Sequence, residues 1–217
     1  MIRAVTIERE FGCGGSEVAG LVANYLGWRL WDGELTNEIA RLTKCTPQAV
    51  EKREWRIDGP AYQVLQDFLR GAFEGGLPPS DRLHLLDARR IAAVSESAVQ
   101  TAFSSGASVI VGRGSQYFLR NRPDVFRVFL YGSRDLKIGR LISKGIPEEQ
   151  AIKEVDTTDK SRAAFISRNL GLKWPERHLY HAMFNTDIGE SCAAAMLVQC
   201  LQKFDATHEL STHRKGA

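Results

Sequence analysis

The sequence is short of the features that announce several common protein classes. Cysteines are few: Cys13, Cys45, Cys192 and Cys200 lie far apart with no CxxC, so neither a zinc site nor a disulfide framework is indicated. They are expected to be reduced thiols in a cytoplasmic protein. The five histidines make no metal-spaced cluster. No apolar run reaches the length of a membrane span, and Met1-Ile2-Arg3-Ala4-Val5 begins a strand rather than a signal peptide, so no membrane partner is expected. Internal repeats and low-complexity tracts are missing as well. A net charge of +3 is too small to argue for nucleic acid or a lipid surface as partner. A homo-oligomer is compatible with this composition but not indicated by it.

What remains is ordinary globular material: 217 residues, 43% hydrophobic and 25% charged, enough for one domain with a substantial core. That domain is expected over residues 1–205, with a structureless polar tail from Ala206 to Ala217. Short apolar strands alternate with helical patterns. The strands are expected from the N-terminal Met1–Val5 through Ile7, at Trp28–Trp31, within the run Gly106–Gly114, at Val125–Tyr131 and at about Leu179–Phe184. Helices are expected after the first glycine-rich turn, after Asp32 (with Leu35, Ile39 and Leu42 on one face), after Thr46-Pro47, over Ala61–Phe73, Asp81–Phe103, Arg134–Ser143, Pro147–Leu172 and Ser191–Phe204. The alternation predicts an α/β fold, a parallel sheet flanked by helices in three layers. In such sheets ligands sit outside the carboxyl ends of the strands.

The most informative stretch is Val5-Thr6-Ile7-Glu8-Arg9-Glu10-Phe11-Gly12-Cys13-Gly14-Gly15-Ser16. A strand, a glycine-rich turn and a helix start aim backbone N–H groups and a helix N-terminus at a phosphate. Glycines at such a turn can also serve chain reversal alone. The pattern is that of a phosphate loop with one departure: GxxxxGK[ST] places a lysine where this chain has Gly15, and its hydroxyl where this chain has Ser16. Cys13 would lie beside a helix N-terminus, where a thiolate is favoured; a small filler is the plainer role.

Two further positions fall at strand ends. Asp32 follows the second strand and suits either a helix cap or a group that orients an acceptor and takes its proton. Arg113, between Gly112 and Gly114, offers a planar guanidinium for bidentate phosphate binding, or pairs with a surface carboxylate. In the charged run Asp156-Thr157-Thr158-Asp159-Lys160-Ser161-Arg162, the spacing alone explains Asp156–Lys160 and Asp159–Arg162 as solvated ion pairs. The tryptophans are expected in the core or at hinges.

Taken in order, Ile7–Gly15, Trp31-Asp32, Val109–Gly114, Val125–Tyr131, Val155–Arg162 and Phe184-Asn185-Thr186 resemble the cytidylate kinase-like family over nearly the whole chain. The resemblance implies the nucleoside monophosphate kinase fold: a phosphate-loop core, a helical acceptor-binding insertion (here 44–80) and a lid (about 145–173). It also implies ATP and Mg2+, with a CMP-like acceptor. Carried over by position, Gly12, Cys13, Gly14, Gly15 and Ser16 form the donor loop, Ser16 serving the metal. Asp32 and Arg113 face the acceptor nucleotide. Asp159 and Arg162 belong to the lid, and Arg162 reaches the transferred phosphoryl group. Cytidylate kinases themselves keep the loop lysine and carry an arginine where this chain has Val155. A site that works by positioning and charge neutralisation therefore lacks two cations, each worth about 2.7–4 kcal/mol in such a transition state. Arg9, Lys153, Lys160 and Arg168 are the available substitutes, and Arg9 lies inside the loop itself.

Overall fold

β-Branched and aliphatic runs build one five-stranded sheet, every pair parallel, in the order β2-β3-β1-β4-β5. The computed structural model describes residues 1–43 and 88–214. The strands are β1 (Ala4–Arg9), β2 (Arg29–Trp31), β3 (Ser108–Val111), β4 (Val125–Tyr131) and β5 (Ala182–Asn185). Among the described residues the helices are α1 (Gly15–Leu26), α2 (Gly33–Thr43), α3 (Ala88–Ser104), α4 (Ser115–Phe118), α5 (Arg134–Ser143), α6 (Glu148–Leu170) and α7 (Glu190–Arg214). None of them is long and apolar enough to cross a membrane. The helices expected at Thr46 and Ala61–Phe73, the first part of that at Asp81, and the insertion 44–80 lie outside the described residues.

β1 is central and explains the layering. Ile7 aligns with Val111 of β3 on one side and with Val128 of β4 on the other. Strand side chains alternate between faces. Val5 and Ile7 therefore join Val18 and Val22 of α1, and Ala193, Leu197 and Leu201 of α7, in one buried cluster. Ala4 joins Trp31, Leu35, Ile39, Val99, Phe103 and Ile110 in the other, under α2 and α3. The sheet is thus covered on both faces, as an all-parallel sheet must be. Because β3 and β4 flank β1 on opposite sides, the chain leaves β1 at a switch point, and in such sheets the crevice that binds ligands lies outside the carboxyl ends of the strands there.

Several expected boundaries shift, each for a physical reason. Leu42 is 37% exposed, whereas Leu35 and Ile39 are buried. The sheet takes up only Ser108–Val111 of the apolar run, because Gly106, Gly112 and Gly114 all have positive φ. Leu179 ends a 3-10 turn, and pairing with β4 begins at Ala182. α7 continues to Arg214 because no glycine or proline interrupts the chain between Ser191 and Lys215.

Candidate functional site

Each strand hands one piece of the site to the crevice. β1 ends in Glu8 and Arg9 and runs into the glycine turn. Gly12 (φ 76°) and Gly14 (φ 80°) both take the left-handed conformation that favours glycine. Gly14 caps α1 without a side-chain acceptor, so the first N–H groups of this 12-residue helix have no capping side chain. Ser16 is exposed in that first turn. An uncapped N-terminus with its positive dipole end open is what an anionic phosphate requires.

The glycines also make room for neighbouring chain. A Cβ on Gly12 would lie 3.2 Å from Lys137 Cβ, and one on Gly14 would lie 3.0 Å from Arg140 Cζ. Both cations come from α5, the helix after β4, and both are committed. Lys137 pairs with Glu10 at 2.9 Å and Asp159 at 3.4 Å. Burial pulls its ammonium down, but the hydrogen bond and charge of Glu10, with Asp159, outweigh this and hold it above the ordinary lysine value. Arg140 donates to the Cys13 carbonyl at 2.6 Å and to the Thr186 hydroxyl at 3.3 Å, and it pairs with Glu190 at 2.7 Å. Thr186 donates to the same Cys13 carbonyl at 2.7 Å. α5 and the end of β5 therefore brace the loop from behind.

Asp159 and Arg162 reach the loop from α6. Asp159 accepts a hydrogen bond from the Phe11 N–H at 2.8 Å. Burial pushes its carboxyl up, against the opposing pull of that N–H, Arg162 and Lys137. Arg162 is 5% exposed. It donates to the Arg9 carbonyl and lies 3.7 Å from both Glu8 and Asp159. Its guanidinium sits 5.3 Å from the ring centre of Trp174. Glu8, 3% exposed, is held in turn by Gln116 of α4 at 2.9 Å. The expected solvated pairing in this run is corrected on two points: Arg162, which pairs with Asp159, is buried, and Asp156 turns to another helix. Asp156 makes a bidentate bridge to Arg134 of α5, both contacts 2.8 Å, because α5 packs against α6 there. Lys153 and Lys160 are exposed. The side chain of Arg168 lies outside the described residues.

The other side of the crevice carries Asp32 and Arg113. The Asp32 carbonyl accepts the Thr36 N–H at 3.4 Å as α2 begins, and its carboxylate lies 3.5 Å from Arg9 Nη2. Both expected roles of Asp32 are therefore geometrically open. Arg113 follows β3 and donates to the Thr36 hydroxyl at 2.7 Å. Its φ of 57° is the one positive value on a non-glycine among the described residues, between Gly112 (67°) and Gly114 (74°). Such strain persists where surrounding contacts impose it, and it clusters at ligand sites.

Cys13 contributes backbone rather than sulfur. Its side chain belongs to the core cluster, and burial raises the thiol to about 11 even though Arg9 opposes the shift. At neutral pH it stays protonated. Iodoacetamide is accordingly expected to label exposed Cys192 and Cys200 in the native chain and to spare Cys13, read by peptide mass spectrometry. Rapid labelling of Cys13 would show an open, acidic thiol instead.

The sequence did not signal Gln116, Lys137 or Arg140, and it showed Glu8, Glu10 and Thr186 only as members of the resembling stretches, with no role of their own. The one trace was Lys137 and Leu141 sharing a face of α5, both buried. Among the described residues no group of three or more His, Cys, Asp or Glu could hold a metal ion. Any magnesium here would rely on Ser16, phosphate oxygens and water, as this hard, water-retaining cation commonly does.

Comparison with known proteins bears on the family and the fold. The model of the cytidylate kinase-like family matches residues 4–188. An uncharacterized protein from Eubacterium ventriosum shares 22% identity and a TM-score of 0.62, over 92% of this chain and 98% of that one. Shikimate kinase from Bacteroides thetaiotaomicron gives 15% identity and a TM-score of 0.51, over 92% and 96%. Shikimate kinase from Acinetobacter baumannii, in complex with shikimate, gives 16% and 0.50, over 94% of each chain. These likenesses establish the phosphate-loop kinase fold. No protein of curated function matches the sequence.

Proposed function

The chain belongs to the cytidylate kinase-like family, and from that premise we propose that it transfers the γ-phosphoryl group of Mg-ATP to a nucleoside monophosphate, a CMP-like acceptor, in the cytoplasm. The observation that carries this reading is the convergence at the strand ends. Arg9, at the start of the loop that leads to the uncapped α1, pairs with Asp32. Arg162 donates to its carbonyl, Asp159 accepts the Phe11 N–H, and Arg113 at the end of β3 donates to Thr36 just past Asp32.

The roles follow from chemistry. Gly12, Gly14 and Gly15 let backbone N–H groups surround the donor phosphates. The Ser16 hydroxyl would hold magnesium, which when bound would supply charge neutralisation to the donor phosphates. Arg113 grips the acceptor phosphate. Asp32 orients the acceptor through the Arg9 guanidinium it pairs with. Asp159 anchors α6 to the loop through the Phe11 N–H, which leaves Arg162 beside the start of the loop, where the transferred group passes. Residues 145–173 act as the lid that excludes water, and 44–80 shape the acceptor pocket.

ADP formation from Mg-ATP across a panel of nucleoside monophosphates, shikimate and small sugars tests the reading. Acceptor-dependent turnover greatest with CMP is the expected result. Turnover only with a non-nucleotide would keep the transferase and reassign the acceptor. Gly15 gives one alternative a foothold, a nucleotide-binding module without turnover. Saturable ATP binding with no acceptor-dependent ADP would favour that module.

A further inference from the structure

Counting back from Ser16, the phosphate-loop pattern places its lysine at position 15 and its first glycine at position 9. This chain has the reverse, Arg9 and Gly15. The two positions touch. A Cβ on Gly15 would lie 2.7 Å from Arg9 Cγ, 2.8 Å from Arg9 Cβ and 3.3 Å from Arg9 Cδ. Gly12 and Gly14 have positive φ and are required by the backbone, but Gly15 is a helical residue with no such need. What demands glycine at 15 is the stem of Arg9. The other cations near the loop are spoken for: Lys137 by Glu10 and Asp159, Arg140 by Cys13, Thr186 and Glu190.

We propose that Arg9 and Gly15 are a reciprocal exchange of the usual glycine and lysine, and that Arg9 supplies the charge that meets the donor's β and γ phosphates. The cation has moved from the first turn of the helix to the end of the strand, and a side chain has been deleted from the helix to let it pass. The exchange also changes where the charge can act. The Arg9 guanidinium is 3.5 Å from Asp32, so it spans from the donor loop to the acceptor side. A guanidinium can hold Asp32 and still present N–H groups to phosphate, which a lysine's point charge does less well. The binding half of this proposal rests on the phosphoryl-transfer reading.

Two measurements test it on the full chain. Calorimetry at fixed ionic strength gives Mg-ATP affinity for the parent, Arg9→Met, Arg9→Gly and the double variant Arg9→Gly/Gly15→Lys. Arg9→Met keeps the stem and removes the charge, and it is expected to bind about 10- to 100-fold more weakly. The double variant is expected to recover most of the affinity that Arg9→Gly loses. Thermal unfolding without nucleotide reads the packing alone. Gly15→Ala is expected to lower Tm in the parent and not in the Arg9→Gly background. Parent-like binding by Arg9→Met, or a double variant no tighter than Arg9→Gly, overturns the exchange while leaving the kinase reading intact. No Mg-ATP binding by the parent overturns the phosphoryl-transfer reading and the binding half with it. An equal Tm loss from Gly15→Ala in both backgrounds overturns the packing half.

Discussion

Arg162→Ala is expected to lower kcat by about 10²–10³-fold, the usual cost of removing one preorganised donor from a charge-developing transition state. The side chain is already placed: it donates to the Arg9 carbonyl at the mouth of the loop, with Glu8 and Asp159 holding it. Because it is buried, the variant also leaves the Glu8 carboxylate without the cation beside it, with the Gln116 amide and the Arg9 N–H as donors, so some loss of stability accompanies the loss of rate. The two effects separate experimentally. The KM for ATP is expected to change far less than kcat, and millimolar guanidinium is expected to restore part of kcat in the alanine variant. A merely structural Arg162 would show parent-like kcat in whatever fraction stays folded, with no rescue.

The same residue shows what a sequence can and cannot announce. Val125–Tyr131 and Arg134–Ser143 are found where their patterns put them, since local periodicity decides a strand or a helix. The glycine turn was legible because backbone conformation leaves a residue-type mark: Gly12 and Gly14 sit at positive φ as a tight strand-to-helix turn requires. Partnerships leave no such mark. Asp156 and Lys160 have the spacing of an ion pair, yet Asp156 bridges to Arg134 on another helix. Lys137 and Arg140 look like any solvated cations of an amphipathic helix until α5 is laid behind the loop. Glu8 reads as an ordinary strand-end charge, but its burial is set by Gln116, 108 positions later. Long-range packing, not composition, turned those residues into the walls of the site. Arg9 could be named from its place in the loop, but the packing of its stem against Gly15 left no mark in the sequence.

Lys137→Met is expected to destabilise the fold by about 3 kcal/mol at neutral pH, the low end for breaking a buried ion pair because both carboxylates keep some contact with water. Lys137 is the cation between Glu10 and Asp159, and the Asp159 contact ties α5 to α6. Removing it leaves two carboxylates facing one another beside the phosphate loop. The pH dependence has a definite sign. Burial already raises the folded pKa of Asp159 above its usual 3.8, so ionising it as pH rises costs stability in the parent. Without the ammonium that pKa rises further, and more stability is lost over the same climb. The gap between parent and variant is therefore expected to be small at about pH 4, where protonation relieves the pair, and to widen toward about pH 7. Urea melts at the two pH values measure it, and a gap that stays constant or narrows with rising pH would show that Lys137 acts through packing rather than charge. The linkage also bears on catalysis. Asp159 holds α6 on the loop by accepting the Phe11 N–H, and a carboxylate accepts more strongly than a protonated carboxyl, so a variant in which it protonates weakens the tie of the segment that carries Arg162. Lowering the pH of the Lys137→Met protein is thus expected to restore stability while depressing kcat, two changes of opposite sign from one proton.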